Sequence, residues 1–289
     1  MSNYLVYIDQ RVKKTIKCSK SCAFLFENKR KLSKIKLPYS YRYSVTVRSE
    51  LNLKNMRKIE FIPGEYYHIY DHGVEERKVF VDEYDFKRAL VCLGVFNDTK
   101  PSPEKLFRFV KNPLQLTKRY NPDNRDRLVD IIAFTLLPTH YHFFLQERQE
   151  KGISRFMHCF NKGYARYFNL KYERRGTLWE SAFGAKLIDN EAYFTHIMTY
   201  IHLNILDLHH PQWREGNIKN WEKVAGEMKN YPWSSYSYYR TGKSDPPFLN
   251  LIITKPDWLS EYYPKLDDFE KDLRLWSLRN TGRDISDLL

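Results

Sequence analysis

Apolar residues recur along this chain with two different periods, and the changes of period mark out its elements. Glu65–Tyr70 alternates aromatic and polar positions, which predicts a strand, and runs into Asp71-His72-Gly73, a turn signal. Asp82 is placed to cap a helix over about residues 83–96, whose apolar face carries Phe86, Leu90 and Leu93 with Val79 beside them. The polar, proline-containing stretch Asn97–Asn124 predicts a helix near Pro103–Lys111 and then a loop. Leu128–Leu137 is a β-branched and apolar run that stops at Pro138, and Tyr141–Gln146 resumes it after Thr139-His140, as two tightly joined strands would. Ile153, Phe156, Phe160, Tyr164, Tyr167 and Phe168 then recur at helical spacing, the pattern of a long amphipathic helix. A short strand at Phe183–Ile188 leads into Asp189 and Asn190, a cap pair for a helix with the core stripe Phe194, Ile197, Ile201, Ile205 and Leu208. Strand, helix, strand, strand, helix, strand, helix is an α+β order, with an antiparallel sheet covered by helices.

Composition narrows the class. A chain of 289 residues exceeds the usual domain size of about 100–200 residues, so one main domain with extensions is expected. Hydrophobic residues make up 42% and only 11 Gly and 13 Pro are present, which excludes collagenous and low-complexity classes. The longest apolar stretch, Ile131–Leu137 with Thr135 inside it, falls well short of the roughly 18 residues of a membrane helix. The lysine-rich N-terminus lacks the apolar run of a signal peptide, so a cytoplasmic protein without a membrane partner is expected. Cys18, Cys22, Cys92 and Cys159 are too scattered for a disulfide framework, and Cys18/Cys22 has no second pair to complete a zinc site.

The net charge of +13 sits almost wholly at one end: residues 1–58 hold 15 Lys and Arg against Asp9, Glu27 and Glu50, leaving the other 231 residues near neutral. The texture changes near Met56, and we expect a basic extension over residues 1–57, a main domain over 58–210 and a C-terminal extension over 211–289. Basic arms of this kind meet polyanions, nucleic acid first, or remain a solvated extension. Aromatic residues, 22 Tyr, 18 Phe and 6 Trp, furnish stacking platforms for unpaired bases or a core. The polar side of the long helix carries Arg155, Lys162 and Arg166, followed by Lys171, Arg174 and Arg175, a solvated face or a set of phosphate contacts. Lys186 on the next strand joins that candidate set.

His140-Tyr141-His142 is the sharpest local feature. Residues i and i+2 of a strand share a face, so both imidazoles can meet one ligand while Tyr141 points away, although such a pair is often structural. Tyr200 and Asn204 are one helical turn apart, on the border of the apolar stripe rather than within it. They read either as a nucleophile beside a metal-ligating amide or as a half-buried tyrosine packed beside a polar residue.

Several segments, in order, resemble a known family. Leu136-Leu137-Pro138-Thr139-His140-Tyr141-His142-Phe143-Phe144-Leu145 resembles the metal-binding strand of the single-tyrosine HUH transposases, in particular the REP-associated and insertion-sequence-200-like group. Phe61–Tyr70 is similar to the opening strand of these proteins, Ile153–Asn169 to their long helix, and Thr199-Tyr200-Ile201-His202-Leu203-Asn204 to their tyrosine helix. Tyr231-Pro232-Trp233-Ser234-Ser235-Tyr236 is similar to a common downstream segment, so the resemblance spans roughly residues 57–240. Asp71-His72-Gly73 stands where the family often has Asn-Arg-Gly, Ile205 where a proline is common, and Ala182-Phe183 where Gly-Arg-Phe is common.

The resemblance implies a ferredoxin-like HUH endonuclease fold and a DNA transposase. His140, His142 and Asn204 would hold Mg²⁺ or Mn²⁺, and Tyr200 would attack a DNA phosphate, leaving a 5′-phosphotyrosine and a free 3′-hydroxyl. The implied partners are single-stranded DNA, near a hairpin, and a second copy in a homodimer. A domesticated DNA- or RNA-binding protein of the same fold without cleavage activity, and a metal-dependent hydrolase with a structural Tyr200, are the alternatives.

Overall fold

The computed structural model describes residues 59–101, 110–111, 126–216, 218, 220–241, 249 and 252–279. The chain divides between Lys58 and Ile59, and every described residue belongs to the second unit, Ile59–Leu289. The basic arm and most of the expected helix Pro103–Lys111 lie outside the described residues, although Val110 and Lys111 are helical.

The first alternating segment forms β1 (Tyr66–His72), with Tyr67 and Ile69 fully buried on one face and Tyr66, His68, Tyr70 and His72 on the other. The strand runs through the sequence predicted as a turn: His72 still pairs with His140, and the Gly73 N–H donates to the Thr139 carbonyl at 2.7 Å. Pairing of Asp71 with Tyr141 and of His72 with His140 keeps the segment extended, and the Asp71 carboxylate accepts from the His72 N–H and from Asn161. The chain turns instead in the 3-10 segment Val74–Glu76 that follows, and it packs so closely on Gly73 that a Cβ there would stand 2.3 Å from the Arg77 carbonyl oxygen.

Helix α1 (Glu83–Phe96) starts where expected, and Asp82 and Asp85 exchange side-chain bonds with each other's backbone N–H in a capping box. Its end is tied to the next strand by Asn97, which accepts from the Leu128 and Val129 N–H groups and donates to the Val129 carbonyl. Strands β2 (Val129–Leu137) and β3 (His140–Glu147) follow, joined through Pro138-Thr139, and β2 is buried at every position. That uninterrupted burial explains its continuous apolar text: both faces are covered, and its outer edge is bridged by Ser234 to Thr135 and by Ile253 to Ile131.

Helix α2 (Gly152–Lys171) is aimed by the buried carboxylate of Glu147, which accepts from Gly152 N at 2.9 Å and Ile153 N at 2.6 Å. Strand β4 (Gly184–Ile188) begins one residue later than the pattern predicted, since Phe183 adopts a left-handed φ of 50°. The sheet order β2-β3-β1-β4, antiparallel throughout, with the connectivity β1α1β2β3α2β4, is the ferredoxin-like arrangement. Helices α1 and α2 pack together on the face of Tyr141 and Phe143, both of which meet Phe160.

The opposite face is covered by α3 (Glu191–Leu203), which Asn190 caps by accepting from Tyr193 N and which brings Phe194 against Tyr66 and Phe144. Two 3-10 turns, Asn204–Leu208 and Pro211–Glu215, continue the chain into α4 (Trp221–Lys229), α5 (Tyr236–Thr241), α6 (Asp257–Tyr262) and α7 (Leu266–Arg279). Helix α7 packs on α3 and α5, so the polypeptide beyond residue 211 builds onto the α3 side of the sheet. Among the described residues no helix is long and apolar enough to cross a membrane.

Candidate active site

The period-two geometry of two neighbouring strands gathers a cluster of imidazoles on the α3 face. His140 and His142 project there from β3, with ring centroids 5.1 Å apart. The register places His72 opposite His140 and Tyr70 opposite His142, so the β1 residues of the same parity join them. His72 stacks on His140 at 4.7 Å, and His68 lies at 5.2 Å from His142 with its Nε2 3.0 Å from His142 Nδ1. His68 and His72 were not singled out from the sequence. The signal was present in the spacing of the first strand, but only the β1–β3 register shows which residues they meet.

Each residue of the His-x-His pair has one ring nitrogen engaged. His140 Nδ1 lies 2.9 Å from Thr139 Oγ1 and His142 Nδ1 is held by His68, whereas neither Nε2 takes part in a hydrogen bond with a described residue. Burial pushes His140 down to about 4, with the neighbouring His72 adding to the shift, and holds His142 well below its ordinary value. Both are therefore neutral imidazoles at neutral pH, the form that ligates a cation.

Tyr200 lies over this cluster from α3, edge-on to His142 at 5.5 Å and to His68 at 5.9 Å. The expectation that Tyr200 and Asn204 sit at the border of the apolar stripe is corrected here, since each is only 1% exposed. The reason is the chain that follows: Arg214 and Trp213 fold back over the end of α3. Arg214 Nη2 donates to Asn204 Oδ1 at 3.0 Å and to Asp207 Oδ2 at 2.9 Å, while its Nη1 is paired with Asp207 Oδ1. Asn204 Nδ2 donates to the Tyr200 carbonyl at 2.7 Å, and the side chains of Asn204 and Arg214 both act to lower the pKa of the Tyr200 phenol. Burial raises the phenol's pKa, and the Arg214 charge opposes that shift. Behind the ring, His196 stacks on Tyr200 at 6.1 Å and accepts from Trp276 of α7 at 2.9 Å.

The donor set fits a divalent cation in part. His140 and His142 offer free Nε2 lone pairs on one face, while the Asn204 oxygen already carries the Arg214 guanidinium and has one lone pair left. Among the described residues no group of three or more His, Cys, Asp or Glu is arranged to hold a metal ion. Arg214 and Asp207 escaped sequence reasoning because they lie beyond the last periodic residue of the helix, in turns with no pattern of their own.

His202, in the middle of the tyrosine-helix motif, is structural. Its Nδ1 lies 2.6 Å from the Met198 carbonyl, which can only accept, so Nδ1 carries the proton and Nε2 accepts from the Ser235 hydroxyl at 2.7 Å. Ser235 in turn accepts from Phe134 N at 2.9 Å. The downstream Trp-Ser-Ser-Tyr segment thereby clamps α3 to the edge of β2.

The basic residues singled out from the sequence separate into two places. Lys186 pairs with His68 across β1 and β4, on the face of the histidines, and lies 5.5 Å from the Tyr193 ring. Arg155, Lys162 and Arg166 are exposed on α2, which covers the opposite face of the sheet. Arg174 is held by Asn169 Oδ1 at 2.8 Å, Arg175 is exposed in the same turn, and Lys171 is drawn into an ion pair with buried Asp85 at 2.8 Å.

Residues 116–204 match the family model of the IS200-like transposases. Among solved structures, the REP-associated tyrosine transposase bound to a REP hairpin is 14% identical, the alignment covering 63% of this chain and 82% of that one with a TM-score of 0.37. The tRNA(His) guanylyltransferase of Saccharomyces cerevisiae is 11% identical, over 81% of this chain and 87% of that one, with a TM-score of 0.31. No curated protein matches the chain.

Proposed function

We propose that this chain, which matches the family model of the IS200-like transposases over residues 116–204, cleaves and rejoins single-stranded DNA by transesterification at Tyr200. The observation that carries the reading is the placement of a phenol beside two neutral imidazoles with free Nε2 atoms and under a guanidinium. In the forward step the Tyr200 oxygen forms a bond to phosphorus, the bond from phosphorus to the 3′-oxygen breaks, and the phenol's proton is replaced on the departing 3′-hydroxyl. A 5′-phosphotyrosine results, and joining is the same exchange in reverse, with no nucleotide cofactor.

Arg214 steadies the phenol oxygen and offers positive charge where the phosphate oxygens come to lie. His140, His142 and the remaining lone pair of Asn204 would hold Mg²⁺ or Mn²⁺. A bound cation of this kind supplies neutralisation of the phosphate charge. Lys186, on the same face, contacts the strand beside the scissile phosphate. Arg155, Lys162 and Arg166, on the opposite face, together with Arg174 and Arg175, hold flanking DNA such as a hairpin stem. The enzyme acts in the cytoplasm as a homodimer.

The test is incubation of the full chain with a hairpin-bearing single strand and Mn²⁺, followed by a denaturing gel and mass spectrometry of the adduct. Tyr200→Phe should lose the adduct while keeping its fold, cation binding and DNA binding. Adduct at normal yield in that variant, mapped to another residue, would remove Tyr200 as the nucleophile. Scission without adduct in the wild type would make the protein a hydrolase, and neither activity would make it a binding module.

A further inference from the structure

The inner ring of the cluster, His68, ligates nothing in the scheme above and lies two strand positions from Tyr70, the residue opposite His142. It is fully buried, as is His142 but for 2% of its surface, and the two rings lie nearly parallel, 23° apart. Its Nε2 is 3.0 Å from His142 Nδ1, while its own Nδ1 is buried without a hydrogen-bond partner among the described residues.

We infer that His68 is the positioning residue for His142: its Nε2 accepts the Nδ1 proton of His142 and so turns the Nε2 lone pair of His142 outward to the cation. This rests on the transesterase reading only for the identity of the ligand. Hydrogen-bond accounting supports it. An imidazole that gives its Nε2 lone pair to a cation carries its proton on Nδ1, so His142 must be the donor of the pair and His68 Nε2 the acceptor. His68 then holds its proton on Nδ1, which has no hydrogen-bond partner among the described residues, whereas the opposite tautomer pair would leave only a lone pair there; a proton on His142 Nδ1 therefore distinguishes the positioning role from mere packing. His140 is oriented in the same sense by a different residue, since Thr139 Oγ1 can accept from its Nδ1 at 2.9 Å. Both cation-facing nitrogens are thus defined by the bond made at the far side of each ring, the usual way in which surrounding groups set a ligand's tautomer. Tyr200 stands edge-on to both rings of the pair, so a rotation of His142 would also move the surface under the nucleophile.

The experiment compares the full chain with His68→Phe, which keeps a ring and removes the acceptor, and with His68→Gln, whose amide oxygen can replace Nε2. Two readouts are taken: Mn²⁺ affinity by calorimetry, and the imidazole nitrogen shifts of His142 in cation-free protein by NMR. We expect His142 to carry its proton on Nδ1 in the wild type, His68→Phe to weaken Mn²⁺ binding about 10- to 100-fold, and His68→Gln to recover most of it. Wild-type affinity in His68→Phe with the His142 shifts unchanged would overturn the inference. So would a wild-type His142 protonated on Nε2, a result available even if neither variant folds. If the wild type binds no Mn²⁺ and forms no adduct, the transesterase reading fails separately, and the nitrogen shifts still decide the role of His68.

Discussion

Replacing His202 or Ser235 with Ala should destabilise the protein by amounts that do not add. His202 is fully buried and makes bonds of 2.6 Å to the Met198 carbonyl and 2.7 Å to Ser235. Its removal loses two hydrogen bonds at about 1 kcal/mol each and leaves an imidazole-sized void, a cost of roughly 3 kcal/mol. Ser235→Ala strands the Phe134 N–H and the His202 Nε2, both buried, at about 1–3 kcal/mol for each unpaired group. In the double variant the group that each single change stranded is partly gone, so the combined loss should fall short of the sum by about 1–2 kcal/mol. Urea unfolding of the four proteins at neutral pH measures this, provided the slopes stay constant. Losses that add to within about 0.5 kcal/mol would show that α3 is not fastened through this pair.

Acid should destabilise the protein through the same residue. Burial lowers His202 to about 4 against an ordinary 6.5, so the unfolded chain takes up a proton before the folded one does. Stability is then present above about pH 6.5 and lost as pH falls towards 4, by roughly 3 kcal/mol for this group, and His202→Ala should flatten the fall in a pH series of urea midpoints. Gly152→Ala should cost about 1–3 kcal/mol or more, because a Cβ there would stand 2.1 Å from the Leu128 carbonyl oxygen; an unchanged urea midpoint would contradict the packing at the start of α2. Removal of residues 1–57 should weaken binding to random single strands and flatten its salt dependence, since those residues hold nearly all of the +13 charge; an unchanged salt slope in filter binding would deny the arm that role.

The strands of the sheet were legible in the sequence by two patterns, alternation in β1 and an unbroken apolar run in β2, whose two faces are both covered. Asp82, Asn190 and the helical stripe of Ile153 to Phe168 located three helix starts or faces because capping and periodicity are local properties. The end of β1 was not legible, since Asp71-His72-Gly73 has turn composition and only pairing with β3 keeps it extended. The same non-local pairing hid half of the imidazole cluster. His140 and His142 announce themselves by spacing within one strand, whereas His68 and His72 join them only through a register fixed some seventy residues apart, as in the pair His68 and His142. Burial of Tyr200 was misjudged for a related reason: the stripe of α3 was read as one face, but Arg214 and Trp213 cover a second.

The match to the transposase family stops at Asn204, yet the surroundings of Tyr200 do not. Arg214 reaches its phenol, Ser235 fastens its helix through His202, and Trp276 bonds to the histidine stacked behind its ring. A nucleophile attacking phosphorus must be held to within a fraction of an ångström of the reacting line, and α3 alone supplies only the backbone for that. On the proposed reading, the segment with the recognisable motif contributes the candidate reacting groups, and the segment after it contributes their pose. The Trp-Ser-Ser-Tyr stretch, which bears none of the candidate reacting groups, is tied by its backbone to β2: Leu136 N donates to the Trp233 carbonyl and Ser235 N to the Phe134 carbonyl, both at 2.9 Å. A rigid strand edge is thereby linked, through one serine and one histidine, to the helix that carries Tyr200.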